Sequence, residues 1–313
     1  MKLLFLDPAL ANRTSGNQTT SLRISEYWQS LGHEVQSVSV RGTPLEREHL
    51  KDLIRTSDLI LALHSGHCHE VLELWREMGK PIPLIFLVSG TDLFEPLLNT
   101  RTFSADFISA CEDAHSIVTF AQGFDRLFSS FGKECWAEKN QTIFQGASPV
   151  SWKMADHDPR HAVVIGHLRF IKDPWISVRA LEILQSSLRA VGPGFQIQHF
   201  GTSLDPGTEE EIRNAQKRFP GPDWKWESRG AGTGKEIRAV MSSAPLLIQP
   251  SIHEGGANVV GEFLVSGLPI IASNAPGNVG LLGEDWPGLF GVGDDQGLAD
   301  LLQQWLESEE FRK

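Results

Sequence analysis

Residues 246–269 read LLIQPSIHEGGANVVGEFLVSGLP. An apolar run ends at Gln249-Pro250-Ser251; Glu254, a glycine pair and an apolar segment holding Glu262 follow, and Gly267-Leu268-Pro269 closes it. The order predicts a strand, a tight loop, a helix start, a helix and a stop, one unit of an α/β sheet. Glycines at a helix start let a ligand approach backbone N–H groups that lack an intrahelical partner, at the positive end of the helix dipole. Gly255, Gly256, Ala257 and Asn258 are therefore read as an anion site. Carboxylates do not suit a phosphate, but they accept hydrogen bonds from vicinal hydroxyls. Glu254 and Glu262 beside an anion site point to a nucleotide-sugar.

Working outward, short apolar strands alternate with amphipathic helical stretches along the whole chain, the pattern of parallel sheets covered by helices. Strands are expected over residues 2–6, 35–40, 59–63, 83–88, 116–120 and 142–144, with helices such as 19–31 and 69–78 between them. A second alternation starts at 162–166. It runs through a helix at 174–188, strands at 196–200 and 246–249, the Glu262 helix and a strand at 269–272. The expectation is two Rossmann-like, doubly wound domains facing a cleft. The first spans 1–148, a linker 149–160 and the nucleotide-sugar-binding domain 161–313.

At 313 residues, two domains are the ordinary count. A formal charge of −11 argues against nucleic-acid binding and weakly against docking on anionic lipid. The three cysteines, Cys68, Cys111 and Cys135, are scattered, which fits a reducing cytoplasm better than a disulfide framework. Asp7-Pro8 interrupts the opening apolar run too early for a signal peptide. No run approaches the ~20 residues that span a bilayer, so stable membrane insertion is not expected. The nine tryptophans are scattered and are read as packing.

Ligands of such sheets sit at the carboxyl ends of strands. After the strand ending at Ile165 come Gly166, Arg169 and Lys172, and two cations there would neutralise a diphosphate leaving group. In the first domain, Gly16-Asn17-Gln18-Thr19 is either plain N-capping by Asn17 or Thr19 or a second small-anion pocket. Thr91 and Asp92 follow the 83–88 strand, and Asp92 is either an N-cap or a polar contact to substrate. His64 is read as a substrate contact or proton donor. The spacing of His64, His67, Cys68 and His69 matches no usual zinc pattern, so neither a metal nor another cofactor is expected. Backbone near Arg229 and Gly230 is a candidate for reading the nucleotide base. Gly192-Pro193-Gly194 is set aside as a dinucleotide turn because proline lacks the N–H such a turn needs.

The Glu254-x7-Glu262 spacing, with Gly166, Arg169 and Lys172 upstream, resembles the nucleotide-binding domain of GT-B glycosyltransferases of the group 1 (family 4) type. The resemblance implies that Glu262 holds the ribose, Glu254 contacts the donor sugar, and Gly255, Gly256, Arg169 and Lys172 hold the phosphates. After the 269–272 strand the usual glycine-pair-and-glutamate loop is replaced by a loop from Pro276 to Gly283, PGNVGLLG. That segment is similar to a narrower group, the selenosugar synthases of selenoneine biosynthesis (SenB). So are Asp7-Pro8-Ala9 with Gly16, Asn17 and Thr19; Ala62-Leu63-His64; Gly90-Thr91-Asp92-Leu93; and Gly166-His167-Leu168-Arg169 with Lys172-Asp173-Pro174. The resemblance implies attack by selenophosphate selenium on the anomeric carbon of UDP-N-acetylglucosamine (UDP-GlcNAc), releasing UDP and then phosphate. Gly16, Asn17, Thr19, His64, Thr91 and Asp92 would form the acceptor wall, and Arg169, Lys172 and Glu254 the catalytic set. An O-glycosyltransferase with a hydroxyl acceptor, a sugar-nucleotide epimerase and a non-catalytic sugar-nucleotide-binding protein share the donor residues.

Overall fold

The structure is a computed structural model and describes residues 1–8, 16–41, 46–151, 158–188, 194–243 and 246–312. The chain divides into two compact units: Met1–Gly146 with Glu254–Asn258, and Ala147–His253 with Val259–Lys313. Of the expected linker, residues 152–157 lie outside the described residues, as do Ala9 and Gly192-Pro193.

The first unit holds a six-stranded parallel sheet. Its strands are β1 (Lys2–Asp7), β2 (Glu34–Ser39), β3 (Leu59–Leu63), β4 (Leu84–Leu87), β5 (Ser116–Thr119) and β6 (Asn140–Thr142). Their order is β2-β1-β3-β4-β5-β6. Helices α1 (Gly16–Ser30), α2 (Arg47–Thr56), α3 (Ser65–Glu77), α4 (Thr91–Thr100), α5 (Ala105–Asp113), α6 (Phe124–Ser130) and α7 (Glu134–Lys139) connect them. Strands covered on both faces read as continuous apolar runs, and β3 (LILAL) is buried at every position. The edge strand β2 (EVQSVS) buries only Val38. At the other edge, β6 begins two residues before the expected strand and leaves Ile143 and Phe144 exposed. Apolar composition marked the wrong residues there because an edge strand has less to pack against.

The second unit repeats the plan. Its strands are β7 (His161–Ile165), β8 (Gln196–Phe200), β9 (Lys225–Gly230), β10 (Leu247–Gln249), β11 (Ile270–Ser273) and β12 (Leu289–Phe290). They are parallel in the order β12-β11-β10-β7-β8-β9. Helices α8 (Ile176–Leu188), α9 (Thr208–Arg218), α10 (Gly234–Ser243), α11 (Asn258–Val265), α12 (Pro276–Leu282) and α13 (Asp295–Glu307) accompany them. Counted from β7, this is the Rossmann order 3-2-1-4-5-6 read from the other edge, and its topological switch lies between β7 and β10. In the first sheet the switch lies between β1 and β3. The second core gathers Val164, Ile197, Ile248 and Ile271 from the strands with Leu298, Leu302 and Trp305 from α13. Trp75, Trp136, Trp226 and Trp305 are fully buried, which fits the packing role for those four.

Two expectations change. The segment 276–283 is not a loop: Pro276 opens α12 at a position where its missing N–H costs nothing. Asn17 and Thr19 lie inside the first turn of α1, so neither stands before the helix as its cap.

Candidate active site

In the second unit the switch point brings together the segments after β7 and after β10. Past β7 the chain bends at Gly166, bridges to Ser203 at Leu168, and forms one 3-10 turn over Phe170–Lys172, closed by Lys172 N–H to the Arg169 carbonyl at 2.9 Å. The Ile252 N–H, past β10, donates to the Ile171 carbonyl at 2.9 Å, so the two segments are bonded directly. Ser251 is fully buried; its carbonyl accepts the Ser273 hydroxyl, and its own hydroxyl accepts from Gln249 Nε2 at 3.0 Å. Asn278 Nδ2, on α12, donates to the Ser273 carbonyl and hydroxyl, both at 3.1 Å. Polar side chains from β10, β11 and α12 thus fix the loop leading to Glu254. Arg169 and Lys172 flank the turn, and both are partly exposed.

Asp173 ends the turn in a left-handed conformation (φ 38°). Arg179 reaches from α8 to Asp173 Oδ1 at 3.4 Å and to Asp295 Oδ2 at 2.8 Å. Burial raises the Asp173 carboxyl above its ordinary range, against the pull of Arg179. Across the sheet, Gly201 approaches Gly166 so closely that a Cβ there would lie 1.9 Å from the Gly166 carbonyl oxygen. The Gly201 N–H donates at 2.8 Å to the carbonyl of Gly230, which ends β9 with φ 69°. The Arg229 guanidinium pairs with Glu227 at 3.2 Å.

The segment 254–258 packs within the first unit. Glu254 is buried. A Cβ on Gly255 would lie 2.6 Å from Gly90 Cα, and one on Gly256 (φ 124°) 2.8 Å from Phe120 Cβ. The protein's own packing therefore demands both glycines, a reason beyond the ligand approach read from the sequence. The Asn258 side chain is engaged on both ends. Its Nδ2 donates to the Gly16 carbonyl at 3.1 Å and to Thr20 Oγ1 at 3.2 Å, and its Oδ1 accepts from Arg23 Nη1 at 3.0 Å. Glu262 lies a little over one turn into α11 and is partly exposed.

Elsewhere in the first unit, Asp92 points inward rather than outward. Its Oδ1 accepts from the Ser89 hydroxyl and the Gly90 N–H, both at 3.0 Å, and its Oδ2 accepts from the Ser65 N–H at 3.2 Å. It caps the start of α3 from α4 and holds the glycine against which Gly255 packs. Thr91 Oγ1 lies 3.4 Å from the Ser89 hydroxyl. His64, at the carboxyl end of β3, takes φ 73°, a rare conformation for a residue with a side chain. Its Nδ1 accepts from the His67 N–H at 3.4 Å, which leaves the proton on Nε2, and its ring stacks on that of His67 at 3.9 Å. Burial first, then neighbouring His64, lowers the His67 pKa to about 4. His69 instead meets Asp106 at 2.9 Å and Glu73 at 3.3 Å. Among the described residues, no group of three or more His, Cys, Asp or Glu side chains is gathered as a metal site would need.

The model for "Glycosyl transferases group 1" matches residues 154–313, just over half of the chain. The chain belongs to this family. It is also 24% identical over 311 residues to "Glycosyltransferase 1 domain-containing protein 1" of Xenopus tropicalis, covering 93% of this chain and 83% of that protein. Among solved structures, Anabaena Alr3699/HepE in complex with UDP-glucose superposes with a TM-score of 0.73 at 17% identity, over 100% of this chain and 91% of that one. The catalytic domain of starch synthase IV from Arabidopsis thaliana, bound to ADP and acarbose, gives 0.70 at 12% identity, over 99% and 93%. These likenesses show the GT-B fold.

Sequence reasoning on this group 1 glycosyl transferase missed several residues that shape the site. His199, Gly201 and Ser273 touch the segments after β7 and β10 without carrying a motif, and Asn278, within the 276–283 segment, holds Ser273. Arg23 sits on the face of α1 that meets Asn258. Only a register between strands, or a contact across the sheet, reveals them.

Proposed function

We propose that this glycosyl transferase moves N-acetylglucosamine from UDP-GlcNAc to the selenium of selenophosphate. The observation that carries the donor half is the direct bond between the segments after β7 and β10, which sets Arg169 and Lys172 beside the loop that leads to Glu254. In this reading Gly166, Arg169, Lys172, Gly255 and Gly256 receive the diphosphate, Glu262 the ribose hydroxyls, and Glu254 the hexose. Arg229 and Gly230 lie at the base. Ala257 and Asn258 shape the helix start, Asn258 through its side-chain bonds to α1. The UDP-glucose bound by the Anabaena protein supports a UDP-sugar as donor. The acceptor half rests on the resemblance of Gly16, Asn17, Thr19, His64, Thr91 and α12 to the selenosugar synthases; buried Asp92 serves it indirectly, by holding Gly90 and the start of α3.

The chemistry is balanced without general-base help. An anionic selenium lone pair attacks the anomeric carbon as the carbon–oxygen bond to UDP breaks, and the electron pair leaves on the diphosphate. Arg169 and Lys172 oppose that developing charge, so the reading assigns the task to side chains rather than to a metal ion. Water then attacks phosphorus, cleaving the P–Se bond to give phosphate and the selenosugar. The test is incubation with UDP-GlcNAc and selenophosphate, with product mass analysis. Release of UDP with a hydroxyl acceptor alone would assign an O-glycosyltransferase instead, and donor binding without turnover a non-catalytic binder.

A further inference from the structure

From β7 across the bend at Gly166, the backbone N–H groups keep alternating between the two neighbouring strands. The Val163 N–H bonds toward β10 at the Leu246 carbonyl (2.9 Å), while those of Gly166 and Leu168 bond toward β8 at Phe200 (2.9 Å) and Thr202 (3.0 Å). Even-numbered residues thus face β8 and odd-numbered ones face β10. The Gly166 carbonyl lies on the β8 side, where His199 Nε2 meets it at 2.9 Å. A carbonyl only accepts, so Nε2 carries a proton; a second proton on Nδ1 would be a buried charge with no acceptor, which leaves His199 as the neutral Nε2–H tautomer. The imidazole is fully buried, and its Nδ1 meets no hydrogen-bond partner among the described residues. Gly201 leaves room for this arrangement, since any Cβ there would overlap the same carbonyl.

We propose that His199 is a positioning residue of the donor site: by fixing the Gly166 carbonyl toward β8, it aims the His167 N–H at the switch point beside β10, where a donor phosphate oxygen accepts it. In a trans peptide the C=O and N–H point in opposite directions, so holding one orients the other. The inference rests on reading the segment after β7 as the diphosphate site.

Titration calorimetry of UDP into the full chain tests both, with melting curves to confirm that each variant is folded. Wild type is expected to bind UDP; if it binds none, the donor reading fails and the inference with it. His199→Gln places an amide N–H near the position of Nε2 and should keep close to wild-type affinity. His199→Asn, whose amide nitrogen stands nearer the position of Nδ1, and His199→Leu should bind UDP roughly tenfold more weakly, the equivalent of about 1.4 kcal/mol for one lost hydrogen bond. Should the leucine variant fail to fold, the comparison of Gln with Asn decides. Folded Asn and Leu variants that bind UDP like wild type would overturn the inference while leaving the donor reading intact. A Gln variant as weak as Asn would overturn it too, because restoring the donor would then restore nothing.

Discussion

Lowering the pH from 7 to 5 should weaken the fold by a definite amount through His199. Burial is the main cause that lowers its pKa to about 4 from 6.5, while the bond to Gly166 works in the opposite direction. Between these values the unfolded chain binds a proton that the folded chain refuses, so stability falls as pH falls. The contribution is fully present above pH 6.5, shrinks through the interval and is gone below about 4. At roughly 1.4 kcal/mol per pH unit, passing from 6.5 to 5 costs about 2 kcal/mol. Urea unfolding of wild type and His199→Gln at pH 7, 6 and 5 isolates the site, since other histidines are common to both proteins. The stability difference, wild type minus variant, should fall by about 2 kcal/mol between pH 7 and pH 5. A difference independent of pH would refute a buried, neutral His199.

Other outcomes follow from the site. Glu262→Ala should weaken UDP binding by roughly tenfold or more, as expected for hydrogen bonds to a charged group, and lower turnover with it; unchanged UDP affinity in calorimetry would remove the ribose assignment. If Lys172 opposes charge that develops on the leaving group, as proposed, Lys172→Ala should lower turnover by roughly 10²-fold with a smaller change in donor affinity. Steady-state kinetics would contradict this if KM alone moved. Gly255→Ala, forced to within 2.6 Å of Gly90 Cα, should destabilise by about 1–3 kcal/mol, visible as a lower melting temperature. An unchanged melting curve would mean that the two loops part at little cost.

The central strands were legible because burial on both faces leaves a continuous apolar run. Leu59–Leu63, apolar throughout, matches its expected strand residue for residue; Gln196–Phe200 (QIQHF) falls where a strand was expected on the strength of Ile197 and Phe200 rather than of an apolar run. The edge strands of the second sheet were not legible. Lys225–Gly230 carries mostly polar side chains around Trp226, and Leu289–Phe290 is too short to show a period. Gly277 and Gly280 hid the helix at 276–282, whose start is set by a proline and whose Asn278 is anchored in the core. The Glu254–Glu262 spacing stood in the sequence as a local motif. The uses made of Asp92 and Asn258 were not readable there, because Ser65, whose N–H Asp92 caps, and Gly16, which Asn258 holds, stand 27 and 242 residues away. A polar residue near a strand end looks the same in sequence whether it faces a substrate or a neighbouring backbone.

Mixing the purified chain with UDP-GlcNAc and selenophosphate, then measuring UDP release alongside the mass of the sugar product, separates selenium from hydroxyl as the acceptor. UDP formed only when both substrates are present, with a selenium-bearing N-acetylglucosamine as product, is the predicted result. UDP release that needs a hydroxyl acceptor and ignores selenophosphate would contradict it.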